Sequence, residues 1–556
     1  MNFYHEDPNL AFQMKKMMKP QFNEWAVKEL EEFGAMCAGE IDVRAKHTDR
    51  EGQPRLIKYD RMGEDISEVW LNEGYMQTVK ETYEKGIVGF VHKPIPELGH
   101  KGNYIYSFAQ GYLLSHAEPG FYCPVTLTMA TAYLIDHYGD EALKAKYLPH
   151  VLATGDTELY EGATFLTERQ GGSDVGANEV YAAADGESYR IYGEKYFASN
   201  AGACGVAMVL ARMKGAPPGT KGLSLFLVPW RNEDGKLNHI KIRRLKDKLG
   251  VRAVPSAKVE FEGAHAYLVG KADRGFYYMM EALNLSRICN AVTSIGIMRR
   301  AYIEAREYAT ERKAFGDRLI QYPMVQDTLI QMAVKQEVET STVFDMISLL
   351  DRVSNDPHGV SERDAVLNRL YIAIMKKETA EQAIHFSHEA IEMHGGNGYI
   401  EDFVTPRLLR DAQVLTVWEG TANILGLEVM RLIHKYQAYE LFYEEMESRL
   451  ARIEASIDQK WLQPVLKALD DDKAYLGKIV KKSKQEQTYY SKRIAKRLSK
   501  SYEGVVALEE AATGEERKQK IAEVYITQTF KEDNPKEEAL PLQYFDSIVN
   551  PGIPAT

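Results

Sequence analysis

One change of texture constrains this chain more than any other feature. From Glu161 to about Gly270, short apolar runs alternate with turn signals, whereas both flanks read as helix. The runs 206–211, 223–228 and 257–261 have strand length and strand residues. In the last, Val259 and Phe261 alternate with Lys258, Glu260 and Glu262, the period of a half-buried strand. Pro217-Pro218-Gly219 and Asn232 to Gly235 are turns. A β segment of about 110 residues therefore interrupts a helical protein, and the fold must place a β domain between two helical ones.

The flanks support four segments: helical 1–160, β 161–272, helical 273–436 and a helical extension 437–556. Residues 19–33 and 75–85 carry helix-spaced apolar stripes. Residues 40–64 are polar, contain Asp49, Gly52 and Pro54, and read as loop. Residues 124–150 read as a buried helix, a Tyr-Gly-Asp break and a second helix. Two long helices are expected over 322–352 and 361–393, separated at Asn355-Asp356-Pro357.

Charge and cysteine content narrow the function classes. Sixty-nine Lys and Arg stand against 80 Asp and Glu, a net charge of −11 that does not draw in polyanions. The four cysteines form no C-x-x-C pair, which points to reduced thiols and a cytoplasmic protein. No signal peptide and no membrane-spanning run is expected.

Five strings carry candidate chemistry. Phe165 to Val175 (FLTERQGGSDV) holds Leu166, Thr167 and Ser173 around two glycines, a small-residue loop whose amides and hydroxyls can face an anion. Gly193 to Gly202 (GEKYFASNAG) sets Phe197 and Ser199 at a strand end. Glu311 to Asp317 (ERKAFGD) closes a long helix with Arg312, a bidentate phosphate donor, and the aromatic Phe315. His394 to Tyr399 (HGGNGY) allows close backbone approach. Trp418 to Ile424 (WEGTANI) places Glu419 at a loop-to-helix junction, with Thr421 as cap. Each string taken alone reads most simply as a turn or a helix end.

In this order, the five strings resemble the acyl-CoA dehydrogenase superfamily over roughly residues 90–435. Residues 116–128, the long lead and the long tail are similar to its AidB-like branch. The resemblance implies an α+β, acyl-CoA dehydrogenase-like fold: a helical N-terminal domain, a central β-barrel-like domain, a C-terminal helical bundle and the extra helical segment. It implies FAD as cofactor. Leu166, Thr167 and Ser173 would contact the isoalloxazine and pyrophosphate, and Phe197 and Ser199 would lie against the ring. Arg312 and Phe315 would reach the adenine end of a flavin in a neighbouring subunit, with Glu392, Gly396, Thr421 and Asn423 also lining the dinucleotide. Arg287 and Gly420 would meet the acyl-CoA substrate, and Glu419 would be the catalytic base. Three positions depart from the family pattern: Phe197 replaces a tryptophan, Ala314 a threonine and Glu392 a glutamine. The alternative position for the base, beside the arginine, is Ser286, which cannot act as one.

The expected reaction is α,β-dehydrogenation of an acyl-CoA, with electrons passed to an electron-transfer flavoprotein and FAD sites shared in a homo-oligomer, a dimer or tetramer. Two alternatives stand beside it: an acyl-CoA oxidase using oxygen, and a protective flavoprotein that binds nucleic acid through its basic C-terminal helix. Residues 478–500 contain nine Lys and Arg and one acid, with Arg493, Lys496, Arg497 and Lys500 on one helical face. The opposite face, through Ile494, Leu498, Tyr502 and Val505, is apolar. A solvated basic face packed by its apolar side is the preferred reading, so nucleic acid is not the favoured partner.

Overall fold

Helix starts lie where the sequence supplies side-chain caps. Asn72, Asn103 and Asp140 accept the N–H of Tyr75, Tyr106 and Leu143 at 2.8–2.9 Å, opening helices Glu73–Glu84, Tyr104–Ala117 and Glu141–Val151. The computed structural model describes residues 1–355, 361–531 and 539–549. By its internal contacts the chain divides into two units: Met1–Glu6 with Pro20–Cys289, and Asp7–Lys19 with Asn290–Thr556.

The first unit carries the N-terminal helices and the β domain. Helix Tyr104–Ala117 is buried along its whole length, consistent with its mix of aromatic, Leu and small residues on every face. Helix Pro119–Tyr138 follows, and the break at Gly139-Asp140 leads to Glu141–Val151 as expected. The β domain closes on itself. Strand Val206–Met213 pairs with Tyr181–Asp185, which pairs with Ser188–Ser199, then Ser256–Leu268, then Leu223–Pro229, which returns to Val206–Met213. Gly162–Phe165 joins in parallel beside Val206–Met213, and Ile240–Leu245 beside Ser256–Leu268. Val259 and Phe261 point into the core as the alternation predicts. The strand runs on past 261 because Gly263, at φ 88°, absorbs a register shift against Ile191 and Tyr192.

Residues 40–64 are not loop. They form a π turn Cys37–Ile41, helix Asp42–Arg50 and strand Arg55–Tyr59, which pairs with Asp65–Trp70. The helix buries only Ala45, Thr48 and Asp49, so it shows no apolar stripe. It continues Pro20–Met36 through the π turn, and an extended helix needs no nucleus of its own.

Ahead of the first barrel strand, Glu161 is buried and accepts the Tyr83 hydroxyl at 3.0 Å. Burial pushes its carboxyl up to about 7, the Tyr83 hydrogen bond offsetting part of the rise. The unfolded chain therefore loses this proton first, and stability falls as pH rises from the ordinary carboxyl range to about 7. The full cost above that pH is about 3 kcal/mol. Glu161→Gln removes the titration. Relative to wild type, the variant should gain about that much stability between pH 5 and pH 8 in denaturant unfolding. Parallel pH dependences in the two proteins would count against it.

Apart from one short hairpin, Lys313–Ala314 with Asp317–Arg318, the second unit is helical among its described residues. Pro323–Asn355 and Glu362–His394 match the two long helices expected; Asp356 and Pro357 lie outside the described residues. Thr405–Leu415 and Ala422–Tyr436 follow, and then the extension, Ala438–Ile453, Gln459–Ile479, Lys484–Ala511, Glu516–Phe530 and Leu540–Val549. Ile494, Leu498, Tyr502 and Val505 are buried, as the amphipathic pattern requires. Tyr502 stacks on Tyr371 at 4.2 Å, and its hydroxyl donates to Asp345 at 2.6 Å. Helix Pro8–Met17, from the far end of the sequence, also belongs here: Asn9 donates to the Glu337 carbonyl at 3.1 Å and Gln13 to Glu510 at 2.7 Å.

Candidate active site

In the barrel unit, the loop after strand Gly162–Phe165 is anchored at its base and open at its tip. The Leu166 carbonyl accepts from Asn178 at 2.8 Å and from Lys195 Nζ at 3.2 Å. The Thr167 carbonyl accepts the Tyr196 N–H at 2.9 Å, which holds the loop against the strand bearing Phe197 and Ser199. Below it, buried Glu168 and Lys195 pair at 2.8 Å. Gly172 stands close to Thr167: a Cβ there would lie 2.6 Å from Thr167 Oγ1, so a larger residue would make that hydroxyl rotate. Ser173 is exposed at the loop tip. Phe197 is 55% exposed, with the Lys246 ammonium 4.3 Å from its ring centre. Ser199 shares a hydrogen bond with Ser256 at 3.1 Å. Arg287, in the same unit, is buried and donates to Asn284 at 3.0 Å.

In the helical unit, Glu419 sits in a strained turn. Its φ is 54° and that of Gly420 is 105°, so two consecutive residues occupy the left-handed region, costly for a glutamate. Two buried side chains hold the turn. Asn290 Nδ2 donates to Glu419 Oε2 at 3.0 Å and to the Leu415 carbonyl at 3.1 Å, and Asn290 is only 4% exposed. Lys376 Nζ donates to the Gly420 carbonyl at 2.7 Å. Thr421 occupies the cap position of helix Ala422–Tyr436, but its hydroxyl makes no capping bond, a correction to the capping role read from the sequence. Asn423 is exposed in the first turn of that helix.

Arg312 and Phe315 lie just beyond helix Gly275–Glu311, in a hairpin pairing Lys313–Ala314 with Asp317–Arg318. Phe315 is 98% exposed, at φ 54°, on the hairpin tip. The HGGNGY loop meets the same helix: His394 stacks on Tyr308 at 4.2 Å, and Asn397 donates to the Tyr308 hydroxyl at 3.1 Å. Glu392 is exposed, 3.8 Å from His388. Gly395 and Gly396 have no atom within 4 Å of where a Cβ would stand.

Sequence reasoning missed Asn290 and Lys376. Asn290 lies three positions after Arg287, which offered a weak signal. Lys376 is one of two adjacent buried lysines in a long helix, and nothing local marks it as the one that meets the Gly420 carbonyl.

Three family profiles match the chain: the Adaptive response protein AidB N-terminal domain over residues 1–156, the acyl-CoA dehydrogenase middle domain over 163–264 and the acyl-CoA dehydrogenase C-terminal domain over 273–434. The chain belongs to the acyl-CoA dehydrogenase family, in its AidB-like branch. It is 30% identical over 541 residues to acyl-CoA dehydrogenase family member 11 of Caenorhabditis elegans, covering 94% of this chain and 86% of that one. It is 31% identical over 402 residues to putative acyl-CoA dehydrogenase AidB of Escherichia coli, covering 70% and 71%. The crystal structure of C. elegans ACDH-11 in complex with C11-CoA superposes with a TM-score of 0.88 at 27% identity, covering 99% and 95%. The acyl-CoA dehydrogenase-like fold follows, as does assignment as an oxidoreductase of this family with FAD as cofactor.

The residues present suit that cofactor. The Thr167–Ser173 loop offers hydroxyls at an open tip, Gly395 and Gly396 leave space against their backbone, and no carboxylate pairs with Arg312 among the described residues. Arg312→Ala should therefore loosen FAD by about 10–100-fold, the equivalent of a charge-assisted phosphate contact. Fluorescence titration of apoprotein with FAD measures this, and unchanged affinity would remove Arg312 from the site.

Proposed function

We propose that this protein dehydrogenates the α,β bond of an acyl-CoA thioester, with Glu419 as the base that removes the α-proton. The observation that carries the proposal is the Glu419 turn: a carboxylate at a loop-to-helix junction, in left-handed conformation, gripped by buried Asn290. A strained, over-determined carboxylate of this kind is characteristic of a functional site. FAD, when bound, would supply the hydride-accepting chemistry for the β-hydrogen. The chain's own residues do the rest. Glu419 Oε would take the proton, and its backbone N–H would stabilise the charge that develops on the thioester oxygen. Asn290 fixes the carboxylate, and Lys376 holds the turn through the Gly420 carbonyl. Leu166, Thr167, Ser173, Phe197, Ser199, Arg312, Phe315, Glu392, Gly396, Thr421 and Asn423 serve the flavin, and Arg287 and Gly420 the acyl-CoA.

The remaining assignments belong to the same reading. The electrons pass to an electron-transfer flavoprotein, and the protein acts in the cytoplasm, in fatty acid metabolism. It does so as a homo-oligomer, a tetramer in the preferred reading, with shared FAD sites; the almost fully exposed Phe315 supports such sharing. No described helix is long and apolar enough to cross a membrane. The four segments 1–160, 161–272, 273–436 and 437–556 remain the working domain division.

Anaerobic mixing of FAD-loaded protein with acyl-CoAs of graded chain length tests the proposal. Bleaching of the flavin by at least one acyl-CoA is expected, with reoxidation faster by an electron-transfer flavoprotein than by oxygen. No bleaching by any acyl-CoA would overturn the dehydrogenase reading. Asn290→Ala should slow bleaching about 10–100-fold while FAD content is unchanged, because a hydrogen bond to a charged group contributes about 1.5–3 kcal/mol. An unaltered rate would show that the grip on Glu419 is not used.

A further inference from the structure

We propose that the C-terminal extension carries a second ligand site, a cleft that binds a nucleoside polyphosphate. The cleft measures 580 Å³ and lies between helix Gln459–Ile479, helix Lys484–Ala511 and the last turn of Glu516–Phe530. It lies beyond residue 434, where the matched acyl-CoA dehydrogenase profiles end, and it shares no residue with the Glu419 turn.

Its charge is the first argument. Arg493, Lys496, Arg497 and Lys500 all line it. Arg497 is committed to the wall: Nη1 donates to buried Asp472 at 2.5 Å, the other oxygen of Asp472 accepts Ser501 at 3.0 Å, and the guanidinium lies 4.4 Å from the Tyr475 ring centre. Among the described residues, no carboxylate forms an ion pair with Arg493, Lys496 or Lys500. Arg493 is oriented by Tyr489, whose hydroxyl it meets at 3.1 Å. Asp471 is the remaining acid of the lining. Like charges three and four residues apart on a helix destabilise it. A concave wall concentrates their field. In a chain of net charge −11, three cations without an ion-pair partner among the described residues, with only Asp471 and the Arg497-bound Asp472 as acids of the lining, suit an anion of two or more charges.

Size and walls narrow the class. Residues 493 to 500 span about 10 Å of helix, room for two or three phosphates rather than the six to ten contacts of a typical duplex-binding track. The volume falls within the range of about 300–1,000 Å³ usual for small-molecule sites. Tyr475 and Phe530 supply ring surface within the same cleft, suited to a planar base.

The test is calorimetric titration of the full-length, FAD-loaded protein at about 0.15 M salt with ADP, with inorganic pyrophosphate and with a duplex of about 20 base pairs. ADP should bind once per chain and more tightly than pyrophosphate. The triple variant Arg493→Ala, Lys496→Ala, Lys500→Ala should weaken ADP at least tenfold, with flavin absorbance and flavin reduction as in wild type and a thermal midpoint no lower than wild type. Three results would overturn the proposal: no ADP binding up to millimolar concentration, undiminished ADP binding in the triple variant, or duplex binding tighter than ADP that the variant abolishes. The last would make this face a nucleic-acid surface.

Discussion

Glu419→Gln should retain FAD and bind acyl-CoA, yet lose flavin reduction by about 10²–10⁴-fold or more, the range for removal of a general base. The amide is nearly isosteric, and its oxygen can still accept from Asn290 Nδ2, which now stands 3.0 Å from the carboxylate. The turn should survive, because a left-handed φ of 54° costs glutamine what it costs glutamate. What the amide cannot do is take up a proton. Stopped-flow absorbance separates the two effects: a binding perturbation of the flavin spectrum should remain while bleaching disappears. Wild-type bleaching in this variant would assign the base elsewhere, and Ser286, at the alternative family position, has no group able to serve.

Lys335→Met should be the most destabilising single change in the helical unit, at about 3–5 kcal/mol. Lys335 Nζ lies 2.9 Å from Glu339, 3.3 Å from Glu378 and 2.7 Å from Glu503, all three carboxylates being buried. These acids come from helices Pro323–Asn355, Glu362–His394 and Lys484–Ala511, so one ammonium ties the extension to the bundle. Burial pushes the Glu339 and Glu503 carboxyls up. At Glu378 burial also acts upward, but Lys335 and Lys377 outweigh it and hold the carboxyl down. Without the ammonium, Glu339 and Glu503 lose their compensating charge and Glu378 keeps only the more distant lysines, so the proton affinity of the cluster rises. The variant's deficit should therefore be largest at neutral pH and shrink as pH falls and the folded state takes up protons. Denaturant unfolding at pH 5 and pH 7.5 measures both quantities. A loss below about 1 kcal/mol, typical of exposed pairs, would show that the cluster contributes little.

Local pattern carried the alternation of helical and β segments, because amphipathic period and turn chemistry act over a few residues. Val259 and Phe261 announce a strand whether or not its partners are known. The five motif strings marked the residues proposed for the flavin and the base for a similar reason: glycines and polar tips occur at the turns that present them. The polar helix Asp42–Arg50 escaped notice because its order is inherited from the preceding helix rather than from a stripe of its own.

Tertiary packing decided what no window of sequence encodes. It closed the strands into a circuit through the pairing of Leu223–Pro229 with both Val206–Met213 and Ser256–Leu268. It drew Pro8–Met17 into the unit formed by the far end of the chain, where Asn9 and Gln13 meet Glu337 and Glu510. It set Asn290 and Lys376 on the Glu419 turn from 129 and 44 residues away. It also turned a basic helical stripe into a cleft in which, among the described residues, Arg497 has an ion-pair partner and Arg493, Lys496 and Lys500 have none. These arrangements depend on contacts between residues remote in sequence, whose partners are chosen by which buried groups can be packed and hydrogen-bonded together.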